Sequence, residues 1–253
     1  MADESRTVVI ETVDQLLQPK TRRSFLRLAA VGGTAVLLPS LFAACGDDDD
    51  ATGPGGGSGA VVTLNFDDPN DYGVLNYAYA LEQLEAAFYT EVVARSSSVL
   101  SADEEAIMID LRNHEVIHRE FLKAALSTNA IGSLSLARAF TDINFTNRVA
   151  VLTAARDFED TGVAAYNGAA QYLKSGAFLA IAGKIVSVEA RHAAVIRDLL
   201  VPDAPAGATS FAPRSFDRAR SAADIEAVVD DYIVQQIQVT NAATFVASGT
   251  PDE

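Results

Sequence analysis

The chain has a single cysteine, Cys45, and no tryptophan. One cysteine cannot form an internal disulfide bond, and it cannot build a metal site from several thiolates. Histidine is also scarce, with three residues among 253. A metal site in this protein would therefore have to draw most of its ligands from carboxylates.

Positive charge is in short supply. The chain has 19 lysines and arginines against 34 aspartates and glutamates, which gives a formal net charge of −15. Nucleic acid binding requires a basic face to neutralise phosphates, so this balance argues against nucleic acid as a partner. It argues against acidic partners for the same reason.

The sequence also lacks a long, uninterrupted apolar run. Residues 28–44 are apolar, but the stretch is too short and too interrupted by glycine to form a membrane span. It follows residues 21–27, TRRSFLR, which resemble the twin-arginine export signature. We therefore predict that residues 1–44 are an export signal that is removed from the mature protein.

The apolar run ends in residues 41–46, LFAACG, which are similar to the lipobox of bacterial lipoproteins. That resemblance implies export across the bacterial inner membrane and a lipid on Cys45 that anchors the protein in the periplasm or cell envelope. The alternative is an ordinary secretory signal with Cys45 as an incidental thiol. Residues 45–60 are acidic and glycine-rich, which predicts a flexible tether. Removal of residues 1–44 leaves a net charge of −16, so an anionic bilayer would repel the chain and the anchor would have to be the lipid.

Helix-forming segments dominate after residue 70 and predict an all-α fold. Asn70 or Asp71 is expected to cap the first helix, and a capping box begins the second at Ser101. The predicted helices span residues 71–95, 101–127, 147–174 and 177–200. The connection over residues 128–146 is long enough to span a bundle, so residues 61–200 match a ferritin-like four-helix bundle with one long crossover.

The C-terminal extension, residues 201–253, is predicted to contain a fifth helix that begins after Ser221. Its expected apolar side is formed by Ile225, Val228, Val229, Tyr232 and Ile233. This helix either packs on the outside of the bundle or mediates association with a second subunit, as in a homo-oligomer. The sequence leaves both alternatives open.

Two E-x-x-H motifs recur in the predicted second and fourth helices. Glu115 precedes His118 by three residues, and Glu189 precedes His192 by three. On an α-helix this spacing brings a carboxylate and an imidazole to one face, where both can bind one metal ion. A single E-x-x-H is often only a surface ion pair or a helix cap, but this one is part of a repeat.

Each motif has a partner glutamate upstream, Glu82 or Glu159, and each of these is followed at the seventh position by a tyrosine, Tyr89 or Tyr166. In this alignment Glu85 falls opposite Gly162, so Glu82 is the predicted ligand and Glu85 a neighbour of the ligands. The two tyrosines are either core aromatics or redox relays that take part in catalysis.

The predicted metal ligands are six residues on four helices: Glu82, Glu115, His118, Glu159, Glu189 and His192. Two divalent cations would cancel the charge of four buried glutamates. Oxygen-rich ligation with one imidazole per metal favours iron or manganese over zinc. Glu115 and Glu189 are the predicted bridging ligands. A degenerate bundle that binds no metal is the alternative.

Two further side chains near the motifs have predicted roles outside metal binding. His114 is expected to be a solvated neighbour of Glu115 rather than a ligand. Arg191 is expected to point away from the site and to pair with an acidic residue such as Asp157 or Asp160.

With these motifs, the chain resembles the ferritin-like superfamily. It is most similar to the bacterial ferritin-like domain family that includes desiccation-related proteins, whose first helix reads like residues 81–89, LEQLEAAFY. The resemblance implies a carboxylate-bridged pair of iron or manganese ions, while the activity of this branch of the family is generally undefined. Our leading hypothesis is that such a pair reacts with oxygen or peroxide, as a ferroxidase or in peroxide detoxification under stress. The alternatives are a manganese catalase-like enzyme and a structural or stress-protective bundle.

Overall fold

A computed structural model describes residues 61–136, 140–200 and 211–242. The predicted export signal, the lipid on Cys45 and the tether all fall outside these ranges. No helix within the described ranges combines the length and apolar character needed to cross a membrane.

The described part of the chain is mostly helical, which confirms the predicted fold class. Its elements in chain order are β1 Val61–Asn65, α1 Tyr72–Arg95, α2 Ala102–Leu126, α3 Arg148–Ala169, α4 Gly176–Leu200, α5 Ala222–Val229 and β2 Gln236–Thr240. Short 3₁₀ turns follow α2 and α3, at Ser127–Asn129 and Ala170–Tyr172.

The four long helices pair as two antiparallel hairpins, α1 with α2 and α3 with α4. The segment between α2 and α3 is the predicted crossover, and it returns the chain to the opposite end of the bundle. Arg148 at the start of α3 therefore lies beside Glu104 at the start of α2 and donates to the carbonyl of Leu199 at the end of α4. This arrangement directs one face of every long helix toward a common centre.

Helix α1 is buried on nearly all sides. Its apolar residues, such as Leu75 and Leu81, are in the core, but Asn76 and Gln83 on another face are also buried. The crossover covers that face, where Ile131 N–H donates to Asn76 Oδ1 at 2.7 Å and Leu134 N–H donates to Gln83 Oε1 at 2.8 Å. These two amides satisfy loop backbone groups that would otherwise be buried without partners.

The N-terminal caps of the helices are those predicted from the sequence, with one exception. Ser101 and Glu104 form the predicted capping box of α2. Asp71 lies at the N-cap of α1, but its side chain makes no capping hydrogen bond. Its carboxylate instead accepts from the backbone N–H groups of Lys174 and Ser175, at 2.9 and 2.8 Å. The predicted capping role is therefore wrong, because the turn between α3 and α4 takes both oxygens.

The C-terminal extension differs in two ways from the prediction. Helix α5 ends at Val229, so Tyr232 and Ile233 follow the helix, and Val228 is 40% exposed. The chain then forms β2, which pairs in parallel with β1 in the register Val61 with Gln236 through Asn65 with Thr240. This sheet joins the two ends of the described chain, and α5 packs beside it against α3.

Gly168 on α3 marks a close approach between this extension and the bundle. A Cβ atom at Gly168 would lie 1.9 Å from the carbonyl oxygen of Arg220, whose N–H donates to Ala164 O. At Gly183 on α4, by contrast, an added Cβ meets nothing within 4 Å.

We expect Gly168→Ala to destabilise the protein by about 1–3 kcal/mol, because backbone must move to admit the methyl group. Gly183→Ala is the matched control and should stabilise by up to about 1 kcal/mol, since alanine favours a helix over glycine. Denaturant unfolding of both variants measures the difference. Equal effects of the two substitutions would contradict the close packing of residue 220 on α3.

Candidate metal centre

The six predicted ligands meet in the middle of the bundle. They form two groups, in each of which one potential ligand atom per residue lies within 4.8 Å of the others. The first group is Glu82, Glu115, His118 and Glu189, and the second is Glu115, Glu159, Glu189 and His192. Each group has one glutamate of its own, one imidazole, and the shared pair Glu115 and Glu189.

The Nδ1 atom of each histidine faces three carboxylates. His118 Nδ1 lies 2.9 Å from Glu189, 3.4 Å from Glu115 and 3.5 Å from Glu82. The second histidine repeats the pattern, since His192 Nδ1 lies 2.8 Å from Glu115 and 3.4 Å from both Glu159 and Glu189. The centre therefore has an approximate twofold symmetry that follows the sequence repeat.

The donor atoms are buried and largely without hydrogen-bond partners. All four glutamates are completely buried and His192 is 4% exposed. Eight donor atoms of the six residues form no hydrogen bond within the protein: Glu82 Oε2, both oxygens of Glu115, His118 Nδ1, Glu159 Oε2, both oxygens of Glu189 and His192 Nδ1. Buried polar atoms without partners are costly. Because these atoms converge on two points, they fit a pair of bound cations.

The family model for the ferritin-like domain matches residues 70–202, just over half of the chain. The chain belongs to the ferritin-like domain family. No curated protein matches it. The match covers all four bundle helices and all six candidate ligands of this ferritin-like protein.

The protons of the metal-free centre are distributed unevenly. Burial lowers the pKa of each histidine, but the surrounding carboxylates outweigh it and raise the pKa of His118 and of His192 to about 12. Burial raises the pKa of Glu115, but the two imidazoles prevail and hold it at about 2. Burial raises the pKa of Glu82 and Glu159 well above the ordinary value. The metal-free centre is therefore expected to hold protons on these groups, and a cation bound there would have to displace them.

Two tyrosines link the halves of the centre crosswise. Tyr89 on α1 donates to Glu159 Oε1 on α3 at 2.5 Å, and Tyr166 on α3 donates to Glu82 Oε1 on α1 at 2.5 Å. Burial raises the pKa of both phenols well above the ordinary value. Each tyrosine thus occupies one oxygen of Glu159 or Glu82 and leaves the other oxygen facing the histidine of the same group.

The crosswise pairing was not predicted, although the spacing contains a signal for it. A tyrosine seven residues after a glutamate lies two turns, about 10 Å, further along the same helix. It cannot reach its own glutamate easily, but it can reach the one on an antiparallel neighbour.

Glu85 is a fifth buried carboxylate that belongs to neither ligand group. It is 3% exposed and its Oε2 has no hydrogen-bond partner. A Cβ on Gly162 would lie 2.7 Å from Glu85 Oε1, so the glycine opposite it in the repeat leaves the space that this carboxylate occupies. Burial, and then the charges of the surrounding glutamates, raise its pKa well above the ordinary value. Its surroundings therefore favour the protonated form of Glu85 beside the centre.

The positions of His114 and Arg191 agree only in part with the predictions from the sequence. His114 is exposed, but it contacts His192, with 2.9 Å between His114 Nδ1 and His192 Nε2. This contact fixes the ring that directs Nδ1 of His192 toward the carboxylates. Arg191 instead donates to Ser187 Oγ.

The predicted pairing of Arg191 with Asp157 or Asp160 is wrong. Asp160 pairs with Arg197 on α4, and Asp157 pairs with its neighbour Arg156. Arg197 lies six residues after Arg191, on a different face of the helix, and that face is the one directed toward α3.

Proposed function

We propose that this ferritin-like protein holds a dinuclear iron or manganese centre and that the centre reacts with dioxygen or peroxide. The observation that carries the proposal is the presence of two ligand groups that share Glu115 and Glu189. Shared carboxylates would hold two cations close to each other, and such a pair would supply redox chemistry toward a small oxidant.

Charge and ligand chemistry support this choice of metals. Two divalent cations carry four positive charges, which cancel the four completely buried ligand glutamates. Each metal position offers several carboxylate oxygens and a single imidazole, a donor set that suits iron or manganese better than zinc, which prefers four ligands in a tetrahedron. Iron or manganese would supply one-electron redox chemistry between the divalent and trivalent states.

The protein's own residues would prepare the centre for that chemistry. Tyr89 and Tyr166 hold Glu159 and Glu82 through one oxygen each, which orients the free oxygens. Through these hydrogen bonds, both phenols would be placed to accept an electron or a proton from the centre. The complete burial of the glutamates excludes bulk water, which strengthens the electrostatic hold on the cations.

The test is to load the protein with ferrous iron or manganese and to measure three reactions. Oxidation of bound iron by dioxygen would indicate a ferroxidase, and oxidation of bound iron by peroxide would indicate a peroxidase. Rapid release of oxygen from peroxide by the manganese-loaded protein would indicate a catalase-like enzyme. Glu189→Ala, which removes a shared ligand, is the control for reactions of loosely bound metal. Two tightly bound ions without any of these reactions would refute the redox proposal and favour a structural role for the metals.

We further propose that the protein is exported and held at a membrane by a lipid on Cys45. The residues that support this, 21–27 and 41–46, are the twin-arginine-like and lipobox-like segments. Cells grown with labelled fatty acid should incorporate label into the wild-type protein but not into Cys45→Ser. Replacement of Arg22 and Arg23 by lysine should retain the protein in the cytoplasm. Label in Cys45→Ser would contradict the lipid anchor.

A further inference from the structure

A small apolar cavity lies at one end of the bundle, between the two helical hairpins. All four long helices contribute to its wall, and its lining is composed of aliphatic and aromatic side chains. The residues from α1, such as Ala78 and Leu81, are buried, whereas Phe121 on α2 and Ala182 on α4 are half-buried. The wall of the cavity is therefore buried on its α1 side and partly exposed on its α2 and α4 sides.

This cavity lies one helical turn from the metal centre. Ala78 precedes Glu82 by four residues, Leu122 follows His118 by four, and Ile185 precedes Glu189 by four. Four residues correspond to about 6 Å along a helix axis. The three ligands so approached belong to one of the two groups, the one that contains Glu82 and His118.

Tyr166 connects the cavity to this metal position directly. Its ring is part of the cavity wall, and its hydroxyl donates to Glu82 Oε1. At the opposite end of the centre, the corresponding positions one turn away are filled. Leu111, four residues before Glu115, is 4% exposed, and Ile196, four residues after His192, is completely buried.

Size and polarity restrict what the cavity can hold. Its volume is about 30 Å³. A water molecule needs at least about 10–15 Å³ measured in this way, so there is room for a diatomic molecule but not for an organic substrate. A water or a peroxide molecule in an apolar wall would lose its hydrogen bonds, at a cost of about 2–7 kcal/mol per unsatisfied group. Dioxygen makes no such hydrogen bonds and loses nothing.

We infer that this cavity is a dioxygen-binding site that supplies the metal position of Glu82 and His118. The inference rests on the proposed function and makes it more specific, because it selects dioxygen over peroxide as the oxidant for which the bundle provides a route. Dioxygen enters between α2 and α4, resides against Ala78 and Tyr166, and passes the tyrosine ring to reach the centre.

Binding is tested with krypton, a small apolar atom that is easily located by X-ray diffraction. Crystals of the wild-type protein pressurised with krypton should contain the atom in this cavity, with or without metal at the centre. Ala182→Leu places a larger side chain in the cavity and should abolish krypton binding. Ala180→Leu, on the exposed side of the same helix, is the matched control and should retain it.

Function is tested by the oxidation rate of ferrous iron in the same proteins. Ala182→Leu should slow the oxidation of bound iron by dioxygen several-fold. The variant should still bind two ions, and peroxide should oxidise them at the wild-type rate. Ala180→Leu should match the wild type with both oxidants. Ala125→Leu fills the cavity from α2 and should reproduce the effect, so that the test survives if Ala182→Leu does not fold.

The outcomes separate this inference from the proposed function. Absence of krypton from the wild-type cavity, or an unchanged dioxygen rate in a filled variant, would overturn the inference and leave the proposed function standing. Equal slowing with both oxidants would also overturn it, because the metal centre itself would be disturbed. If neither oxidant reacts with the iron-loaded wild type, the proposed function fails, whatever krypton shows.

Discussion

Metal-free protein is expected to become less stable as the pH rises above about 4.5, and metal-loaded protein is expected to show the opposite trend. Burial raises the pKa of Glu82, Glu85 and Glu159 well above the ordinary value of 4.5. Above pH 4.5 the folded state therefore keeps protons that the unfolded state has lost. Their stabilising contribution is complete below pH 4.5 and declines as the pH rises toward the folded-state pKa values.

The histidines extend this decline to higher pH. Neighbouring carboxylates raise the pKa of His118 and His192 from 6.5 to about 12, so both add to the loss of stability above pH 6.5. Glu115 acts in the other direction, since its pKa is lowered to about 2: its stabilising contribution builds up between pH 2 and 4.5, is fully present above pH 4.5, and does not change the slope there. Each retained proton contributes up to about 1.4 kcal/mol per pH unit to the decline in the free energy of unfolding.

Urea unfolding in the presence of a chelator, at pH values from 5 to 9, measures the trend. Glu85→Gln is the control, because it removes one proton-retaining group without removing a ligand and should reduce the slope by up to about 1.4 kcal/mol per pH unit. In the metal-loaded protein the cations replace the protons, so stability should rise with pH. A flat profile for the metal-free protein would show that these carboxylates are not buried together.

Substitutions of Glu189 and of His118 are expected to differ strongly in the number of ions that the protein retains. Glu189 belongs to both ligand groups, whereas His118 belongs to one. We expect the wild type to retain two ions per chain after dialysis, His118→Ala to retain one, and Glu189→Ala to retain none. Loss of a shared carboxylate removes a ligand from both cations and leaves the remaining buried charges unbalanced.

Elemental analysis of the dialysed proteins measures these stoichiometries, and Glu85→Gln should still bind two ions because Glu85 lies outside both groups. Circular dichroism distinguishes loss of metal from loss of fold. If Glu189→Ala and His118→Ala retained the same number of ions, the carboxylate of Glu189 would not be shared.

The helix faces that carry the candidate ligands were predictable because they depend on local geometry. The three-residue step in each E-x-x-H fixes which helix face carries Glu115 with His118 and Glu189 with His192, whatever the rest of the chain does. The capping box at Ser101 is local for the same reason. The repeat then supplied the remaining glutamates, and the tyrosine spacing selected Glu82 over Glu85 on the first helix.

Features that depend on distant parts of the chain were not predictable. The pairing of β1 with β2 joins Val61 to Gln236, and neither five-residue strand indicates its partner. Asp71 carries an ordinary N-cap signal, but a turn about a hundred residues away takes its carboxylate. The wrong partner for Arg191 has the same origin, since only the packing of α4 on α3 decides that Arg197 meets Asp160.

Anomalous X-ray diffraction from crystals loaded with iron or manganese, recorded at the absorption edge of the metal, tests the central claim most directly. For a dinuclear centre we expect two peaks per chain, one within bonding distance of Glu82 and His118 and the other within bonding distance of Glu159 and His192. Glu115 and Glu189 should contact both peaks. A single peak, or peaks confined to acidic residues on the surface, would contradict a dinuclear centre in this bundle.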